Sequence, residues 1–126
     1  MLRVHCLVPP AEAPRGKFVL LRRGADLHFV TAPLSTHPYH ANIVFTFIQE
    51  QNRGRAALSG GTHCSILSPG WKILGGGHYA VDADSREIRL GEKSTAYGKY
   101  PVDLLGENSG DLAEALGLAG FRLRLL

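Results

Sequence analysis

Hydrophobic and polar positions alternate with two different periods along this chain of 126 residues. The first clear segment, Lys17-Phe18-Val19-Leu20-Leu21-Arg22-Arg23, is almost continuously apolar, as expected of a strand covered on both faces. Arg23-Gly24-Ala25-Asp26 turns the chain, and Leu27-His28-Phe29-Val30-Thr31 pairs back as a hairpin. Trp71-Lys72-Ile73-Leu74 predicts a strand that runs into Gly75-Gly76-Gly77 and continues as His78-Tyr79-Ala80-Val81. Asp82-Ala83-Asp84-Ser85 turns it, and Arg86-Glu87-Ile88-Arg89-Leu90 returns with clean alternation, a pattern repeated in Phe121-Arg122-Leu123-Arg124-Leu125. Between these, residues 39–52 follow the helical period. Ala41, Ile43, Val44, Phe45, Phe47 and Ile48 share one broad apolar arc, and His40 lies in the middle of it. Pro38 keeps His37 out of the helix, which therefore starts near Tyr39 or His40. A short second helix is predicted over 111–116, with Ser109 or Asp111 as N-cap.

The intervening segments read as connections. Residues 1–16 form an irregular arm with room for a short strand at 2–8, and residues 33–38 form a loop. Residues 53–70, rich in glycine and serine, read as a long, partly ordered excursion, a length usual for functional loops. The order of elements predicts an α/β (α+β) fold: a mixed β-sheet of about six strands with one helix packed on each face. No repeat or composition shift divides residues 1–126, so a single domain is expected.

Composition narrows the function classes. The chain is 44% hydrophobic and 20% charged, enough for one core without staples. Its net charge of +3 comes largely from dispersed arginine pairs. That is too mild for a nucleic-acid footprint and suits an anionic small group or an acidic protein surface. No apolar run has the length of a membrane span, and the first ten residues break at Pro9-Pro10 without the apolar core of a signal peptide. A cytoplasmic protein is expected. Cys6 and Cys64 each follow a histidine, His5 and His63, which invites a zinc reading. Neighbours on a strand point to opposite faces, however, so neither pair chelates. No metal and no cofactor are expected, and both thiols are expected to be unpaired.

Four features carry candidate chemistry. His40 is either a hydrogen-bonded core histidine or a proton acceptor. At a helix start it sits in the positive end of the helix dipole, which favours neutral imidazole, beside free N–H groups able to hold an anion. Gly75-Gly76-Gly77 weakens its strand, which implies a bulge, a bend, or close approach of a backbone or ligand. No Gly-Lys-Ser/Thr ending follows, so it is not a P-loop. Ser94-Thr95-Ala96-Tyr97-Gly98 is either an ordinary turn or an anion-binding nest. Lys17, heading an apolar strand, ordinarily marks the solvent boundary.

In order and approximate spacing, Lys17-Phe18-Val19-Leu20-Leu21, Tyr39-His40-Ala41-Asn42-Ile43, Leu74-Gly75-Gly76-Gly77 and Ser94-Thr95-Ala96-Tyr97-Gly98 resemble the Janus/Ocnus family, whose best-known members are the protein phosphohistidine phosphatases. The resemblance covers residues 17–98 well and the C-terminal part loosely. It implies a small, metal-independent phosphatase that removes phosphate from phosphohistidine in a protein or from a small phosphoramidate. It also implies a mixed sheet between helices. By position it makes His40 the catalytic histidine, as general base or nucleophile, and Lys17 the lysine facing the phosphate. Tyr39, Ala41, Gly75, Gly77, His78, Ser94 and Ala96 would then bind phosphate or substrate. Nucleic acid and membrane are not expected as partners, and the oligomeric state would be a monomer or weak homodimer.

Four departures from the family pattern stand out. His78 stands where arginine is frequent in the family, and Asn42 where an acidic residue is usual. Asn42 faces opposite the apolar arc, so its change concerns the helix start more than the chemistry. Residues 53–70 are longer than the family pattern and the loop between Lys17 and His40 is shorter, and both changes bear on access for a protein substrate. The alternative is a non-catalytic relative of the same fold that binds an anion or a partner.

Overall fold

The computed structural model describes every residue except Ala11. Its elements run β1 (Leu2–Cys6), β2 (Arg15–Arg23), β3 (Asp26–Ala32), α1 (His40–Phe45), β4 (Ala56–Ser59), β5 (His63–Ile66), β6 (Trp71–Asp82), β7 (Glu87–Gly91), α2 (Val102–Glu107), α3 (Ser109–Ala115) and β8 (Arg122–Leu125). Six of the strands form one mixed sheet in the order β1-β3-β2-β6-β7-β8, and β4-β5 form a separate two-stranded hairpin. The inner pairs β3-β2, β2-β6 and β6-β7 are antiparallel, whereas the edge pairs β1-β3 and β7-β8 are parallel. The fold is thus α+β with a mixed sheet. Among the described residues no helix is long and apolar enough to cross a membrane.

The unbroken apolar run of β2 has a direct cause. Val19 and Leu21 pack on the upper face with Val30, Ile43, Val44, Phe47 and Ile48. Phe18 and Leu20 pack on the lower face with Phe29, Tyr100, Leu105 and Leu112. β2 is central and covered on both sides, so neither of its faces can be polar. The upper helix is α1, continued over Thr46–Gln51 as a π-helical turn. The expected helix over 39–52 is therefore one run whose last turns are wider. Asn52 ends it by donating both its backbone N–H (3.2 Å) and its side-chain amide (2.7 Å) to the Phe47 carbonyl.

One expectation is met, the short strand allowed within 2–8, and two change. The N-terminal arm contains β1, held parallel to β3 in register from Leu2 opposite Leu27 to Cys6 opposite Thr31. Residues 53–70 hold the ordered hairpin β4-β5, which packs on α1 through Cys64, Ala56 and Ile66. The lower face carries two short helices rather than one, because α2 precedes α3 with Asn108 between them. α2 was hidden by Gly106, a poor helix residue. A Cβ at that position would stand in ordinary contact with Leu125 of β8, 3.6 Å away.

The upper core contains ionisable rings. His5 Nε2 and His28 Nδ1 lie 3.1 Å apart, one donating to the other. Phe47 packs against both rings, and Trp71 lies 5.0 Å from His28. Burial is the main cause that holds His5, His28, His37 and His40 below the ordinary imidazole value. The unfolded chain therefore binds more protons than the folded one in the window below about 6.5. The stability linked to these four residues is complete above that pH and is lost as pH falls toward their lowered folded values. Urea midpoints measured between pH 8 and pH 5 should be flat above about 7 and fall below about 6.5. A midpoint that rises on acidification would contradict the burial of these rings.

Candidate functional site

The floor of the site is built by β2 and β6. Lys17 lies directly opposite His78 in their antiparallel register, so both side chains project to the same face. That face is fixed by a bulge. Leu20 pairs with Gly75 and Leu21 with Ile73, which leaves Leu74 as an extra residue on β6. Ile73 packs in the upper core and Leu74 in the lower one. The extra residue resets the alternation so that Gly76 and His78 point up, toward α1. The same residues in plain alternation would send His78 down into the lower core. Gly75 takes the required backbone conformation, with φ of +141°.

Each glycine of the triplet meets a different neighbour. A Cβ on Gly76 would stand 2.8 Å from His40 Cδ2 and 2.6 Å from the Phe18 carbonyl oxygen. Cβ atoms on Gly75 and Gly77 would collide with the Lys99 and Gly91 carbonyl oxygens. The bare strand at Gly76 is what lets the imidazole of His40 lie against it. There His40 Nε2–H donates to the Gly77 carbonyl at 2.9 Å. A carbonyl only accepts, so Nε2 must carry the hydrogen and neutral His40 must present a lone pair at Nδ1. Nδ1 has no hydrogen-bond partner among the described residues. His40 is only 6% exposed, and burial holds its pKa below the ordinary value. The charges of Lys17 and His78 push the same way, and the Gly77 bond opposes them.

The start of α1 is capped from within. Asn42 Oδ1 accepts the Tyr39 N–H at 3.1 Å, and the Asn42 N–H donates to the Tyr39 carbonyl at 3.0 Å. The backbone N–H groups of His40 and Ala41 make no hydrogen bond among the described residues. Lys17 Nζ donates to the Pro38 carbonyl at 2.7 Å and lies 5.8 Å from the centre of the Tyr39 ring. One of its three ammonium hydrogens is thereby used, and two are left for a ligand.

The third wall is the loop after β7. Glu92 leaves the strand in the left-handed region, with φ of +58°. Ser94 is 1% exposed, and its N–H is shared between the Gly76 and Gly98 carbonyls, each 3.2 Å away. Its Oγ accepts the Tyr97 N–H at 3.1 Å. The next two N–H groups, of Thr95 and Ala96, make no hydrogen bond among the described residues. The fourth wall is the β4-β5 hairpin, which Tyr97 straps in place. Its hydroxyl accepts the Cys64 N–H at 2.9 Å and donates to the Cys64 carbonyl at 3.1 Å.

These walls enclose a cleft of about 500 Å³. Of the residues expected at the site, Lys17, Tyr39, His40, His78, Ser94 and Ala96 line it. Ala41, Gly75 and Gly77 do not. Ala41 is buried in the upper core, Gly75 abuts Lys99, and Gly77 takes part only through its carbonyl. Thr62, His63, Glu92, Lys93 and Thr95 also line the cleft and were not among the expected site residues. His63 and Thr62 come from the hairpin, whose strands are too short to show a period. His78 lies 6.1 Å from His40 between ring centres, with its Nδ1 3.8 Å from a Glu92 carboxylate oxygen. With Lys17 and Lys93 against the single carboxylate of Glu92, the cleft favours an anion. No protein-family model matches the chain, and no curated sequence matches it.

Two substitutions check this geometry. Gly76→Ala must move either His40 or β2, and should lower stability by about 1–3 kcal/mol in urea unfolding. Tyr97→Phe leaves the Cys64 N–H without its partner and should cost about 1–3 kcal/mol. It should also speed hydrogen exchange at the Cys64 amide relative to the β2 amides.

Proposed function

We propose that this chain is a protein-histidine-phosphatase-like hydrolase. It would remove phosphate from phosphohistidine in a protein, or from a small phosphoramidate, in keeping with its resemblance to the Janus/Ocnus family. The single observation that carries this reading is the open Nδ1 of His40, left free by the Nε2–Gly77 bond in a cleft with cationic walls. A cytoplasmic setting, and a monomer or weak homodimer, belong to the same proposal.

The chemistry asks for little beyond placement and charge stabilisation. The phosphoryl oxygens would face Lys17, the Ser94 hydroxyl and the unpartnered N–H groups of Thr95 and Ala96. His40 Nδ1 would act as general base, taking a proton from the water that attacks phosphorus. Its lowered pKa keeps it unprotonated at neutral pH. His78 supplies a second positive charge when protonated, where arginine is frequent in the family. Asn42 is engaged in capping α1, which supports the reading that its departure from the family pattern concerns the helix start.

His40→Ala should lower phosphohistidine hydrolysis by at least about 100-fold. Lys17→Met should lower it by at least about 10-fold. Turnover should fall as pH drops through the lowered His40 value, placing the acid limb below about 6.5. Equal rates for wild type and His40→Ala would remove the role assigned to His40. Phosphate binding without turnover by the wild type would favour the non-catalytic alternative.

A further inference from the structure

The hairpin adds a group that the resemblance does not account for. His63 heads β5 and lines the cleft, and its ring packs on Tyr97 at 5.7 Å between centres, with 36° between the planes. Tyr97 is itself fixed twice, through its hydroxyl to Cys64 and through its N–H to Ser94 Oγ. Neither ring nitrogen of His63 has a hydrogen-bond partner among the described residues. A histidine carried by a strapped hairpin, resting on an immobilised ring and open to the cleft, is built to meet something that enters it.

We propose that His63 is the proton donor to the leaving group, a role that rests on the phosphatase reading above. When phosphohistidine loses its phosphoryl group, the departing ring is a poor leaving group as imidazolate and a good one as neutral imidazole. The ring nitrogen not bonded to phosphorus must therefore gain a proton. In-line displacement sets the attacking water and the leaving ring on opposite sides of phosphorus. The His40 ring rests against β6, and Lys17 and His78 are paired across β2 and β6, so all three stand at the β2-β6 side of the cleft. With the attacking water held at that side by His40, the leaving ring departs toward another. The loop after β7 offers its free N–H groups to the phosphoryl oxygens. The hairpin remains, and His63 is the titratable side chain it contributes to the cleft.

The step balances in atoms and charge. Water oxygen bonds to phosphorus and gives one proton to His40 Nδ1. The P–N bond breaks, with its electron pair staying on the leaving nitrogen. The other nitrogen of that ring takes a proton from the His63 imidazolium. Phosphate and histidine leave, and His40 and His63 return to their starting states by proton exchange with water. The charged and titratable groups sharing the cleft with His63 are Lys17, Tyr39, His40, His78, Glu92 and Lys93, with Tyr97 beneath the ring.

The test compares two substrates. Phosphohistidine needs the proton, whereas phosphorylated 1-methylimidazole does not, because its methyl group already makes the departing ring neutral. His63→Gln should slow phosphohistidine turnover about 10-fold or more and leave the methylated substrate within about twofold of wild type. Retained turnover of the methylated substrate also shows that the variant is folded. Equal losses on both substrates would make His63 a binding residue, and no loss on either would make it a bystander. Both results overturn the proposal. A wild type inert toward both substrates would instead remove the phosphatase reading, and this role with it.

Discussion

The site depends on one close approach: the imidazole of His40 lying on a strand stripped of its side chain at Gly76. The bond from Nε2 to the Gly77 carbonyl is ordinary in strength, with a net worth of about 0.5–1.5 kcal/mol. Its importance is directional. It chooses the tautomer, turns the free lone pair away from the strand, and ties the start of α1 to the middle of β6. A methyl group at Gly76 would wedge the two apart. Burial then keeps the ring neutral, with Nδ1 free to accept a proton, although the Gly77 bond works the other way.

Around this contact the walls hold one another. Ser94 reaches the sheet through Gly76, so the loop after β7 and His40 are referenced to the same residue. Tyr97 passes that reference on to the hairpin through Cys64. Positions three apart in one loop thus anchor in opposite directions, one into the sheet and one into the hairpin. The N–H groups between them, of Thr95 and Ala96, are held in place without being consumed. An anion site made of backbone needs this combination, because a donor that is already paired cannot bind and a mobile one loses entropy on binding.

The sequence made some of this legible and hid the rest for physical reasons. The continuous apolar run of β2 and the alternation of β7 and β8 were readable because packing on one or two faces dictates residue type directly. The apolar arc around His40 was readable for the same reason, although it extends into a π-helical turn that no periodicity distinguishes. The glycine triplet announced a special backbone but not which special backbone. It combines a bulge, a seat for His40 and two close carbonyl approaches, and each needs a partner distant in sequence. The hairpin was opaque because each strand has only four residues and Leu58 and Ala57 face outward. His63 and Thr62 were lost with it. α2 was hidden because Gly106 is a poor helix residue in a helix of only six.

The bulge at Leu74 makes the site a matter of odd and even. Ile73 and His78 stand five positions apart, an odd number, yet face the same way because the bulge takes up one of them. Paired in plain alternation from Ile73, the same residues would exchange the upper and lower sets beyond it, burying His78 among Phe18 and Tyr100 and bringing Tyr79 under α1. Removing Leu74 itself would leave an unbulged strand with the same facing. Adding two residues would keep the facing but slide the carbonyl out from under His40. The connection at 33–38 carries no such parity, and a change in its length leaves the facing of every residue on β6 as it is.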